Sequence, residues 1–179
     1  MAVFDATALL LFLEPDARPP LDPETGAPMA DVAARIEFLV QTLEERRETI
    51  VIPTPALSEV LVHAGGAGPA YLDLLNGTRC FRIEPFDQRA AVELAAMTHD
   101  AMAAGDLRAG TDATRAKLKF DRQIIAIALT RGETTIYSDD GDIAKLGGPL
   151  GLEIIPSHAL PERPEDSQFA LDLLPTARC

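Results

Sequence analysis

Short apolar runs alternate with longer stretches of helical period along this chain. Ala2-Val3-Phe4-Asp5 reads as a short buried strand ending in an acid, and the dense apolar run from Ala6 to Leu13 continues it as a helix. Residues 14–30 then interrupt the pattern with Pro15, Pro19, Pro20, Pro23, Pro28 and Gly26, which deny helix and strand alike and predict an exposed, extended loop. From Asp31 to Arg47 a helical period returns, with Val32, Ile36, Leu39, Val40 and Leu43 on one face. Thr49 to Ile52 is a second strand, closed by Pro53. Thr54-Pro55 resembles an N-cap with proline at the first helical position of a helix through Val62.

The alternation continues to the C-terminal part. Pro69 to Leu75 reads as a short helix, Arg79 to Ile83 as a third strand and Gln88 to Ala104 as a helix stopped at Gly105. Thr111 to Arg131 gives the strongest helical pattern, with Leu118, Ile124, Ile125, Ala128 and Leu129 inward and Gly132 as its C-cap. Thr134 to Tyr137 is a fourth strand, a short helix runs to Leu146, and Leu152 to Ile155 is a fifth strand. Strands alternating with helices imply an α/β fold: a mainly parallel sheet, right-handed crossovers and helices on both faces. Residues 1–155 form the expected domain, with the inserted loop 14–30, and 156–179 a tail. Within the tail, Phe169, Leu171, Leu173 and Leu174 suit either an unstructured end or a segment that docks on its own domain or a partner.

Composition changes this picture little. At 179 residues with 47% hydrophobic content the chain suits one ordinary domain. No apolar run reaches the roughly 20 residues needed to cross a bilayer, and the N-terminus lacks the basic region of a signal peptide. A cytoplasmic setting is expected. Cys80 falls in a strand and Cys179 ends the chain, so no metal-binding or disulfide pattern arises. Charge matters more. A net charge of −12 argues against a general, sequence-independent nucleic-acid binder. It leaves room for a nuclease, because a bound divalent cation reverses the local sign and lets a small basic rim steer the substrate.

Candidate chemistry lies in the placement of the acids. In open parallel sheets, ligands bind at the carboxyl ends of the strands, near the reversal of strand order. Asp5 ends the first strand, Glu59 lies one step past the second and Asp140 lies just past the fourth. Asp121 interrupts the apolar stretch Leu118 to Leu129 on the helix leading into that fourth strand. Four carboxylates gathered together repel one another unless something offsets the charge. Oxygen-only ligands suit a hard cation, Mg²⁺ or Mn²⁺, and such an ion fits phosphodiester hydrolysis. Taken singly, each acid has an ordinary explanation. Asp5 and Asp140 can cap helices, Glu59 can be solvated, and Asp121 can pair with Lys117 or Arg122. The case rests on the set.

The ordered blocks Val3-Phe4-Asp5-Ala6-Thr7, Thr54-Pro55-Ala56-Leu57-Ser58-Glu59-Val60, Lys119-Phe120-Asp121-Arg122-Gln123-Ile124-Ile125-Ala126-Ile127-Ala128 and Ile136-Tyr137-Ser138-Asp139-Asp140-Gly141-Asp142 resemble the PIN domain. The chain is most similar to the VapC-type toxins of bacterial toxin–antitoxin pairs, over residues 1–155. The resemblance implies a Rossmann-like three-layer α/β/α sandwich and Mg²⁺-dependent endoribonuclease activity. By position, Asp5, Glu59, Asp121 and Asp140 match the acidic quartet and Asp142 an additional metal-site acid. Thr7 and Ser138 match hydroxyl residues near the metal. Ile143 stands where relatives carry an aromatic, a departure expected to affect packing. The resemblance also implies an RNA substrate, a cognate antitoxin partner and a homodimer.

For substrate contact the local cations are Lys117, Lys119 and Arg122, with Arg108 and Arg115 nearby; His63, His99 and His158 receive no role. A receiver-like domain would require adjacent acids after the first strand, and a haloacid-dehalogenase-like phosphatase would require Asp-x-Asp where this chain has Asp5-Ala6-Thr7. The remaining alternatives are a PIN module that binds RNA or protein with little cleavage, and an RNA-processing nuclease that is not a toxin. The target RNA, and RNA against single-stranded DNA, stay open at this level.

Overall fold

In the structure, a computed structural model that describes residues 2–164, five parallel strands form one sheet: β1 (Ala2–Phe4), β2 (Ile50–Pro53), β3 (Phe81–Glu84), β4 (Thr135–Tyr137) and β5 (Glu153–Ile155). Their order across the sheet is β3-β2-β1-β4-β5. β1 pairs with β2 through Val3 and Val51 and with β4 through Val3 and Ile136. The chain therefore builds outward from β1 on one side, then returns to lay β4 and β5 on the other. This reversal at β1/β4 is where an open parallel sheet leaves a crevice beyond its carboxyl ends.

Side-chain alternation sorts the core into two layers. Ala2, Phe4, Ile50 and Ile52 point to one face and pack with Leu9, Ile36 and Leu75. Val3, Val51 and Ile136 point to the other and pack with Ile125, Ile127 and Leu146. Both faces are covered, so the interior strands β1 and β2 are apolar and buried throughout, as the middle of a parallel sheet requires. Burying each such large side chain contributes about 1.5–3 kcal/mol. The first face is covered by α1 (Ala6–Leu13), α2 (Val32–Glu45), α3 (Thr54–Ala64) and α4 (Gly68–Gly77). The second is covered by α5 (Gln88–Ala103), α6 (Arg115–Arg131) and α7 (Gly141–Gly147). The result is the expected three-layer α/β/α sandwich.

Local details differ from the sequence reading in three places. The long helix starts at Arg115 rather than Thr111, because the Thr114 hydroxyl accepts a hydrogen bond from Lys117 N at 3.2 Å and sets the N-cap there. Thr111 instead lies buried in the preceding loop. Thr54 does not cap α3. The helix begins at Thr54 with Pro53 as cap, and the Thr54 hydroxyl accepts from Phe86 N at 3.1 Å, tying the β3–α5 loop to the carboxyl end of β2. The proline-rich segment is a pinned excursion rather than a wholly extended one. Leu21 and Pro28 form an antiparallel bridge, Asp22 accepts from Glu24 N and Thr25 N, and Met29 packs against the core.

Helix α6 stops at Gly132, whose φ of 72° suits glycine, and the next amide, of Glu133, closes onto Ala128 O at 3.0 Å. Past β5, Leu160 is buried in the first layer, and Arg35 of α2 donates to its carbonyl at 2.9 Å. Cys80 is buried. The apolar residues Phe169, Leu171, Leu173 and Leu174, and Cys179, lie outside the described residues. Among the described residues, no helix is long and apolar enough to cross a membrane.

Candidate metal centre and its cleft

The site grows from the two central strands. β1 ends at Phe4, and the next residue, Asp5, caps α1: its carboxylate accepts from Ala8 N at 2.8 Å. The same carboxylate accepts from the Thr7 hydroxyl, at 2.8 Å and 3.0 Å to its two oxygens, and from the Ser138 hydroxyl in a very short bond. Asp5 is only 2% exposed, and burial pushes its carboxyl up to about 6 against the opposing hydrogen bonds of Ser138, Ala8 and Thr7.

The strand that follows the reversal supplies the rest. Beyond Tyr137, Ser138 Oγ accepts from Asp140 N at 3.0 Å, and the Asp140 carboxylate caps α7 by accepting from Asp142 N at 2.8 Å. A single hydroxyl thus couples Asp5, just past β1, to the loop after β4. Thr7 does the same from the other side, accepting from Asp139 N at 3.2 Å. Asp139 turns away, accepting from Ser157 N and Ser157 Oγ at 2.8 Å each.

Three carboxylates close on one point: oxygens of Asp121, Asp140 and Asp142 all lie within 4.8 Å of one another. The Lys117 ammonium sits among them, 2.7 Å from Asp140, 2.6 Å from Asp142 and 3.4 Å from Asp121. Burial disfavours its charge, but hydrogen bonds to Asp140 and Asp142 outweigh this and hold it well above the usual lysine range. Asp121, 5% exposed on α6, is pushed up to about 6 by burial, against Lys117 and with the added repulsion of Asp140 and Asp142. An all-oxygen donor set that already gathers a cation fits a hard divalent ion. Asp121, Asp140 and Asp142 are the residues that would hold it.

Glu59 is exposed on α3 and lines the same cleft, of about 410 Å³, together with Asp121, Asp140 and Lys117. Asp5 stands behind this group, outside the three that converge within 4.8 Å. Of the expected substrate cations, Lys117 faces the carboxylates. Lys119 and Arg122 instead line a separate cleft of about 430 Å³ with Arg108 and Arg115. Four cleft residues received no role in the sequence reading: Ser58, Val62, His63 and Phe120. The available signal was spacing. His63 follows Glu59 by one helical turn, and Phe120 directly precedes Asp121.

No protein-family model matches this chain, and no curated protein matches it by sequence. Solved structures do. VapBC2 from Rickettsia felis, bound to a DNA fragment from its promoter, superposes with a TM-score of 0.56 at 11% identity, covering 87% of this chain and 97% of that one. VapBC from Salmonella typhimurium, also DNA-bound, gives 0.54 at 16% identity, covering 87% and 97%. VapC20 from Mycobacterium tuberculosis, a toxin that cleaves the sarcin-ricin loop, gives 0.53 at 12% identity, covering 82% and 95%. This chain has the PIN-domain, VapC-like fold.

Proposed function

We propose that this protein is a divalent-metal-dependent endoribonuclease, the toxin of a VapBC-type pair. The observation that carries the reading is the meeting of Asp121, Asp140 and Asp142 around one cation position, at the strand-order reversal of a VapC-like sheet. The reported toxin and toxin-complex neighbours support it as analogies of fold.

A Mg²⁺ or Mn²⁺ ion held there would activate water and offset charge developing on the phosphoryl group. The chain's own part is placement. Asp140 and Asp142 are set by the α7 cap, and Asp121 is presented by α6 from a buried position. Asp5, with Thr7 and Ser138 as its donors, fixes the loop that carries Asp140. Glu59 is exposed at the cleft and is the acid best placed to reach a water or an incoming strand from the solvent side. In this reading residues 1–155 are the catalytic unit, working in the cytoplasm as a homodimer, and a cognate antitoxin shields the cleft.

The test is cleavage of a panel of single-stranded RNAs with Mg²⁺, with EDTA, and by Asp121→Asn. Cleavage that requires both the ion and Asp121 is expected. Its absence across the panel would favour a binding module, a reading to which Lys117 lends one argument: the protein already neutralises its own acids. Expression should arrest growth, and Asp5→Asn should relieve the arrest. Harmless expression of an active nuclease would point to RNA processing outside a toxin pair.

A further inference from the structure

The second cleft on α6 is as unusual for this chain as the acidic one. Arg108, Arg115, Lys119 and Arg122 all line it, and no acid does, although the protein carries a net charge of −12. None of these four cations forms an ion pair among the described residues; the ion pairs involve Arg35, Arg82, Arg131, Lys117 and His99. Arg122 is only 8% exposed, and its guanidinium donates to the Leu107 carbonyl, a neutral acceptor. On its other side Arg122 borders a cleft that carries Glu93, Asp100 and Asp106, none of them in ion-pair contact with it. A buried guanidinium with no carboxylate in direct contact is costly, and an anion arriving from solvent would relieve that cost. The walls between the cations are apolar: Leu94 of α5, the half-exposed Leu107 and the buried Leu118.

Helical geometry relates the two clefts. At about 100° per residue, positions 115, 118, 119 and 122 share one face of α6; Lys117 falls on the opposite side and Asp121 on the flank, about 110° from the centre of that face. Phe120 lies between, 46% exposed, on the rim of the acidic cleft. A strand leaving the metal centre would pass Phe120 and cross about 10–12 Å of helix to reach the basic cleft.

We infer that the Arg108/Arg115/Lys119/Arg122 cleft is a nucleotide subsite for single-stranded RNA. Its cations take a backbone phosphate a few nucleotides from the scissile bond, its leucine walls take a base, and Phe120 offers a stacking face between the two clefts. The assignment rests on the ribonuclease reading above and adds to it the path of the substrate.

The test is fluorescence anisotropy of a labelled single-stranded RNA across a salt series, in the full chain carrying Asp121→Asn to prevent turnover. Arg115→Ala/Lys119→Ala removes two exposed cations from the cleft. Arg46→Ala/Arg79→Ala removes the same charge from exposed positions elsewhere. The cleft variant should bind at least about ten-fold more weakly, with a salt slope shallower by about 1.4, the loss of two phosphate contacts on a single strand. The control pair should leave both nearly unchanged. Equal binding by the cleft variant, or equal weakening by both pairs, would overturn the subsite. Cleavage by the chain with native Asp121 is scored separately. RNA binding through the cleft without Mg²⁺-dependent cleavage would sink the nuclease reading and leave the subsite standing; cleavage with unaltered binding would do the reverse.

Discussion

Lys117 Nζ lies 2.7 Å from Asp140 Oδ2, an ion pair between the first turn of α6 and the cap of α7 that puts a positive charge where three carboxylates meet. The ammonium and a divalent ion would compete for the same oxygens. Lys117→Met should therefore tighten Mn²⁺ binding, by about ten-fold, in calorimetric titration. In EDTA the same variant should melt several degrees lower, since like charges are left unbalanced. Weaker Mn²⁺ binding would show that the lysine positions ligands and does not displace them.

Asp121 and Asp140 should not tolerate loss of charge. Asp121→Asn and Asp140→Asn keep the shape but remove a ligand, and even residues behind a metal ligand are worth about 10–100-fold in affinity or activity. Single-turnover cleavage of RNA should fall by at least that much in each. In EDTA, Asp121→Asn should be no less stable than the unaltered chain at neutral pH, because it removes a buried repulsive charge.

The pH dependence of stability follows from the two raised carboxyls. Asp5 and Asp121 are each held near 6, chiefly by burial, above the usual value of 3.8. A raised carboxyl favours the folded state while protonated, so this contribution is complete below about pH 4 and is lost as pH rises through about 6. Melting temperatures in EDTA should thus fall between pH 4 and pH 7 as far as these groups govern them. Saturating Mg²⁺ should flatten the fall by favouring the ionised form of Asp121, with proton release on binding. A profile that ignores Mg²⁺ would argue against Asp121 as a ligand.

Ser138→Ala removes one hydroxyl with two duties. Asp5 loses a donor, and Asp140 N loses its acceptor. A loss of about 1–3 kcal/mol in urea unfolding is expected. The Asp5 carboxyl should rise further, moving the acidic limb of the cleavage profile to higher pH. Ser138→Thr, which keeps the hydroxyl, should restore most of both. A Ser138→Ala variant with unchanged stability and profile would show that the two strands are registered by other contacts.

Much of this molecule is determined by local pattern. Apolar runs of strand length separated by helical periods specify five strands and their helices, and the continuous burial of Ile50-Val51-Ile52 specifies a parallel, two-sided sheet. Asp5 and Asp140 are marked by their position at strand ends, and each caps a helix as well as serving the site. Side-chain period and capping chemistry act over a few residues, so the chain displays them directly.

Tertiary packing decided the rest. Nothing in the spacing of Lys117 and Asp142, 25 positions apart, shows that they meet; the rotation of α6 against α7 brings them within 2.6 Å. The same rotation turns Lys117 toward the acids and Lys119 and Arg122 toward a cleft whose other wall comes from Leu94 and Leu107. Sequence offers all three as cations beside Asp121. Helical spacing already sets Lys117 apart from Lys119 and Arg122; the angle at which α6 packs, set by side chains far along the chain, decides which of them meets the acids.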